Sequence, residues 1–197
     1  MKSLTNKEKE ILLILVKDFS SDYNSNSLSK VSNLTPRGTL KILKNLKSMD
    51  ILVGKKMGKA VFYKVKLDDE YVFRLISLLL MEESRIKAPR WLSEFKALFE
   101  YVEIAVIFGS VVKRPENARD IDLLIVFKRN KHDLVARIIN ERRKISSRPI
   151  HQVKQEYDDL ISNMKRKDEV LLNIVKTGIV LQGHEKLVGA IRDVSGF

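Results

Sequence analysis

The sequence predicts an α+β chain organised in three parts. Residues 1–66 read as a helical domain closed by a β-hairpin, 67–89 as an apolar linker or dimerisation helix, and 90–197 as a small α/β domain with a mixed sheet. Three observations carry this. Apolar residues recur at helical spacing through the first fifty positions. Two short Val- and Ile-rich runs, Ile104 to Phe108 and Ile121 to Phe127, have the length and composition of strands. Between these regions lies Tyr71 to Met81, apolar on nearly every side of a helix.

The N-terminal elements follow from their punctuation. Thr5-Asn6-Lys7-Glu8 has the spacing of a capping box, so a helix is expected from about Asn6 to Asp18, with Ile11, Leu12, Leu15 and Phe19 inward. The Ser/Asn-rich stretch Ser20 to Ser27 breaks it, and a short helix from Leu28 to Leu34 follows. Thr35 suits an N-cap and Pro36 the first helical position, so a third helix runs to Asp50. Its inner face is Leu43, Leu46 and Met49 with Ile42. Arg37, Lys41, Lys44 and Ser48 fall on the opposite side as a basic stripe.

Ile51-Leu52-Val53, a polar tip from Gly54 to Lys59, and Val61 to Val65 form a β-hairpin with a cationic tip. Three helices and a basic hairpin resemble the winged helix-turn-helix domain of prokaryotic regulators, over about residues 4–66. That resemblance implies that the third helix enters the DNA major groove while the hairpin grips the backbone. Arg37, Thr39, Lys41 and Lys44 would then lie near bases or phosphates of double-stranded DNA, and Lys55, Lys56 and Lys59 at the wing. Winged helices also serve as protein-docking modules, so both readings stand.

Asp68 can cap the next helix, expected from Asp69 to about Glu83. Such an apolar helix must be covered all round: it is either buried between the domains or paired with its copy in a homodimer. A basic linker, Ser84 to Pro89, leads into a helix from about Arg90 to Tyr101 whose Trp91, Phe95, Leu98 and Phe99 form a core face. After the strand Glu103 to Phe108, the loop Val111 to Arg119 and the strand Ile121 to Phe127 comes a charged helix, Lys131 to Ser147. A third strand is expected at Pro149 to Lys154, then helices at about Glu156 to Met164 and Lys167 to Lys176. A small strand within Gly178 to Gly183 and a last helix from His184 to Arg192 complete the chain.

Chemistry concentrates at Gly109-Ser110 and Asp120-Ile121-Asp122. In an extended strand Asp120 and Asp122 point the same way, their Cα atoms ~6.6 Å apart, while Ile121 points into a core. Two parallel carboxylates beside an apolar sheet call for a cation between them, and oxygen ligands of this kind suit Mg²⁺. Gly109 permits close backbone approach, and Ser110 offers a hydroxyl and an amide to a phosphate. Gly-Ser, nine residues, then Asp-x-Asp before an apolar strand resembles the signature of the nucleotidyltransferase superfamily related to DNA polymerase beta, in its minimal, archaeal-type form.

The resemblance implies that Gly109 and Ser110 hold the triphosphate of an NTP, with Lys113 and Arg114 beside it, and that Asp120 and Asp122 bind Mg²⁺ as the catalytic pair. It also implies a third carboxylate on the third strand. That strand reads Pro149-Ile150-His151-Gln152-Val153-Lys154, without an acid, while Glu156, Asp158 and Asp159 come after it. Arg119, directly before the pair, could neutralise a carboxylate in place of a metal. Two functions are therefore expected: a DNA-binding protein that transfers a nucleoside monophosphate from an NTP to an acceptor, which could be a protein, or a transcriptional regulator whose inactive transferase domain is a nucleotide sensor or dimerisation body.

Composition agrees with these classes. The formal net charge is +12, and residues 1–66 hold fourteen Lys or Arg against five Asp or Glu, a net +9. This points the N-terminal domain at a polyanion. The absence of Cys excludes disulfides and thiolate metal sites. No apolar run reaches the roughly 18 residues of a membrane span and no signal-peptide layout is present, so a cytoplasmic location without membrane partners is expected.

Overall fold

The computed structural model describes residues 3–196; the expected domains' outermost positions, 1, 2 and 197, lie outside this range. The chain divides into two compact units, one made of the residues up to Leu79 together with those from Ser195 on, the other spanning Leu80–Val194. The architecture is α+β, with helices first and a mixed sheet after them.

The first unit holds α1 (Asn6–Lys17), α2 (Ser25–Ser32), α3 (Pro36–Ser48), and a hairpin of β1 (Leu52–Met57) and β2 (Ala60–Val65). The capping box at Thr5 forms, and its Glu8 carboxylate also accepts from the Asn45 amide, so one residue both starts α1 and ties it to α3. The helix α2 starts earlier than the sequence reading placed it. Asn24 and Ser27 make a reciprocal cap, so the Ser/Asn run initiates a helix rather than only breaking one. Asn33 ends that helix in the left-handed conformation. Thr35 caps α3 by accepting from the Gly38 amide, with Pro36 at the first position as expected.

Helix α3 buries Thr39, Leu43 and Leu46, at i, i+4 and i+7. Each fully buried Leu contributes about 1.5–3 kcal/mol relative to exposure. Strand β2 bonds to Tyr23 through the Tyr63 amide, which holds the hairpin against the α1–α2 connection. The hairpin turn is only Gly58-Lys59: Met57 pairs with Ala60, and Gly58 takes φ 60°, the positive value required at the first position of a II′ turn. The expected six-residue tip is therefore mostly strand. Lys55 and Lys56 occupy successive strand positions and project to opposite faces of the ribbon.

Helix α4 (Glu70–Lys87) is capped by Asp69, which accepts from the Val72 amide, rather than by Asp68. Val72, Ile76, Leu79 and Leu80 are buried, while Tyr71, Leu78 and Met81 are exposed. Coverage is thus one-sided.

In the second unit α5 (Pro89–Glu94) is followed by a 3-10 turn, Lys96–Leu98, in place of one continuous helix. Then come β3 (Ile104–Phe108), α6 (Ser110–Lys113), β4 (Ile121–Val126), α7 (His132–Ile145), β5 (Ile150–Gln155), α8 (Tyr157–Lys165), α9 (Glu169–Thr177), β6 (Ile179–Gln182) and α10 (His184–Val194). The sheet order is β5-β4-β3-β6, with β4 and β5 parallel and the other pairs antiparallel. One face packs Ile107, Leu123 and Ile125 against Trp91, Phe95, Leu98, Val135 and Ile139. Helices α9 and α10 pack against β3 on the other face, and α8 packs on those two helices. The central strands are accordingly buried on both sides and read as continuous apolar runs.

Candidate active site

The antiparallel register of β3 and β4 places Phe108 opposite Asp122, so the end of one strand meets the start of the other. Gly109 follows directly, with φ 78°, and a Cβ there would lie 2.2 Å from Asp122 Oδ2. The glycine is required twice over, for its left-handed backbone and for the space that the carboxylate fills. That space seats the Asp122 carboxylate.

Asp120 lies two residues earlier on the same face and accepts from the Ser110 hydroxyl at 3.3 Å. The parallel register of β4 and β5 then brings His151 beside Asp122. His151 Nδ1 is 3.5 Å from Asp120 Oδ2 and 3.7 Å from Asp122 Oδ1. One ligand atom from each of Asp120, Asp122 and His151 falls within 4.8 Å of the other two. Burial raises the Asp122 pKa above the usual carboxylate value, the charge of Asp120 raises it further, and His151 partly offsets both. The cluster holds excess negative charge with one imidazole as its nearest compensation.

These donors fit a divalent cation. Atoms sharing an ion at about 2.1 Å lie about 3.0–3.5 Å apart, close to the distances found here. Only two of the three donors are carboxylates, however.

The remaining sequence candidates sort by position. Lys113 closes α6 and Arg114 follows it, both exposed on the element that succeeds Gly109, at the same end of the sheet as the carboxylates. Arg119 is exposed and forms no ion pair with Asp120 or Asp122 among the described residues. Glu156 and Asp158 do not complete the site. They follow β5, whose His151 end carries the cluster, and four strand residues separate the ends by about 13 Å. There they line a separate cavity of 480 Å³ with Glu103, Phe127, Tyr157 and Lys186. No sequence signal marked that cavity, because its lining comes from distant segments.

In the first unit Arg37, Lys41, Lys44 and Ser48 are exposed along one side of α3. Lys55, Lys56 and Lys59 are exposed on the hairpin. Thr39 corrects the expected DNA-reading set: it is fully buried, its hydroxyl without a partner, because it sits at i−4 from Leu43 on the apolar face.

Comparison with known proteins bears on the second unit. Residues 92–186 match the family model Polymerase beta, Nucleotidyltransferase. The match falls within Leu80–Val194 and includes Gly109, Ser110, Asp120, Asp122 and His151. The second unit is similar to nucleotidyltransferases of this type. Among solved structures the chain is also similar to a single-site mutant of ZitR from Lactococcus lactis, at 12% identity and TM-score 0.34, covering 72% of this chain and 75% of that one. Another ZitR mutant, solved in complex with DNA, gives 12% and 0.33 with the same coverage. These likenesses are too distant to bear on fold or function. No curated protein matches. No helix among the described residues is long and apolar enough to cross a membrane.

Proposed function

We propose that this chain is a DNA-binding protein whose second unit transfers a nucleoside monophosphate from a nucleoside triphosphate to an acceptor hydroxyl, which loses its proton as the bond between the α- and β-phosphates breaks and pyrophosphate leaves. The observation that carries the reading is the convergence of Asp120, Asp122 and His151 beside the missing Cβ of Gly109. A divalent cation held there, Mg²⁺ in the simplest case, supplies charge neutralisation on the polyphosphate and polarises the α-phosphorus. The protein's own part is positioning. Asp120 and Asp122 are the residues that would hold the cation. The Ser110 hydroxyl, held only by a long bond to Asp120, can turn to a phosphate oxygen, as can the Ser110 and Val111 amides, whereas those of Val112 and Lys113 donate to the Gly109 carbonyl. Lys113 and Arg114 offset charge further along the triphosphate.

DNA binding is assigned to residues 1–66. Support comes from the exposed stripe of Arg37, Lys41 and Lys44 and from the hairpin lysines, with Thr39 left to the core. Residues 67–89 link the two activities, and the exposed Tyr71, Leu78 and Met81 favour pairing of α4 with a second copy. Incubation with an α-phosphate-labelled NTP and Mg²⁺ or Mn²⁺ tests the transfer, with a protein among the acceptors supplied. DNA affinity should fall steeply with salt, with a shallower slope after Lys55→Ala and Lys56→Ala, about one unit of log–log slope per lost phosphate contact.

One observation favours a second reading. No third carboxylate joins the cluster among the described residues, and Glu156 and Asp158 lie at the far end of β5. A regulator that binds nucleotide in the second unit without turning it over would then bind NTP with unchanged label in every variant.

A further inference from the structure

The cluster sets one imidazole beside two carboxylates. Resting on the proposed transferase reading, we infer that His151 is a direct metal ligand and makes the site select a first-row transition dication, of which Mn²⁺ is the probe, over Mg²⁺. Mg²⁺ is a hard ion that favours oxygen and sheds water reluctantly, so replacing a carboxylate by an imidazole removes charge and supplies a donor it binds poorly. Transition dications accept imidazole readily.

The geometry argues that His151 is placed for this and not merely nearby. Parallel pairing sets it in register with Asp122, and strand alternation sends its ring to the carboxylate face. Nδ1 is the atom presented, at 3.5 and 3.7 Å from one oxygen of each Asp. Gln152, its neighbour, projects from the opposite face and cannot substitute. No carboxylate other than Asp120 and Asp122 joins the cluster among the described residues, so the third ligand is nitrogen or absent. The His151 side chain is 63% exposed, so a change there perturbs little of the core.

The test reads the metal itself. Mn²⁺ and Mg²⁺ binding are measured by calorimetry on the full chain, with electron spin echo modulation of bound Mn²⁺ as the second readout. The wild type should bind Mn²⁺ more tightly than Mg²⁺ and show nitrogen modulation from an imidazole. His151→Ala should lose that modulation and at least about tenfold in Mn²⁺ affinity, since even outer-shell partners are worth 10–100-fold. His151→Asp should abolish the modulation and shift preference toward Mg²⁺. If Asp122→Ala abolishes Mn²⁺ binding while His151→Ala changes neither affinity nor spectrum, His151 is not a ligand and the inference fails with the transferase site intact. If Mn²⁺ affinity is the same in Asp122→Ala and wild type, the metal site and the reading beneath it fail together.

Discussion

Replacing Asp122 by Asn should make the metal-free protein more stable. The two carboxylates present oxygens within 4.8 Å of each other, and at that distance like charges repel by about 0.9 kcal/mol at the dielectric of water and about 3.5 kcal/mol at an effective dielectric of 20. The side chains are 34% and 24% exposed, so solvent screens part of this and about 1–2 kcal/mol is expected. The sign follows from the raised pKa of Asp122. A carboxyl whose folded pKa exceeds its unfolded value costs stability when ionised, and the cost fades as pH falls through the folded pKa toward the ordinary 3.8. The gain from Asp122→Asn should therefore be full at pH 8 and vanish below about pH 3.8. Trp91, the only tryptophan, is buried in the core of the second unit, so its fluorescence in urea isolates that unit's transition. With a chelator present the midpoint should rise by about 0.5–1 M, for a denaturant slope of about 2 kcal/mol/M. Adding Mn²⁺ should then stabilise the wild type and leave the variant unmoved. A lower or unchanged midpoint at pH 8 would show that Asp122 is not held against electrostatic repulsion.

Three further outcomes follow from particular residues. Gly109→Ala should lower the same transition by about 1–3 kcal/mol, through its positive φ and its collision with Asp122, and should weaken Mn²⁺ binding in calorimetry. Thr39→Val should raise the helical melting transition of the first unit by about 1 kcal/mol, because it removes a buried hydroxyl without a partner, and leave DNA affinity unchanged; weaker DNA binding would return Thr39 to the interface. His184 is buried with Nε2 donating to the Val180 carbonyl, and burial lowers its pKa below the ordinary 6.5. Only the unfolded chain takes up that proton at first, so the second unit should lose stability as pH falls below 6.5, by at most about 1.4 kcal/mol per pH unit, and His184→Gln should flatten the slope.

What the sequence revealed was local. Thr5 with Glu8, and Thr35 with Pro36, announce helix starts within a few residues, and both caps form. Ile104 to Phe108 and Ile121 to Phe127 are legible as strands because a sheet covered on both faces needs unbroken apolar runs. Asp120 and Asp122 could be placed on one face from strand alternation alone. The misreadings arise where polar residues do structural work. Ser and Asn between Ser20 and Ser27 look like a breaker, yet Asn24 and Ser27 cap each other and begin α2. Gly54 to Met57 looks like loop because a two-stranded ribbon leaves its side chains in solvent, yet the backbone pairs throughout. Thr39 looks like a contact residue because it is polar. His151 was visible as a residue on the third strand, but its place beside Asp122 depends on the register between β4 and β5, which no local pattern encodes.

The central claim is that the cluster of Asp120, Asp122 and His151 supports nucleotidyl transfer, and its most direct test is label transfer from an α-phosphate-labelled NTP with Mg²⁺ or Mn²⁺ present. Wild-type protein should label its acceptor. Asp120→Ala and Asp122→Ala should each abolish the label while the Trp91 urea transition remains cooperative and its midpoint no lower than the wild type's. Equal labelling by the wild type and both variants, or none by the wild type with either metal across a panel of DNA, RNA and protein acceptors, would contradict it.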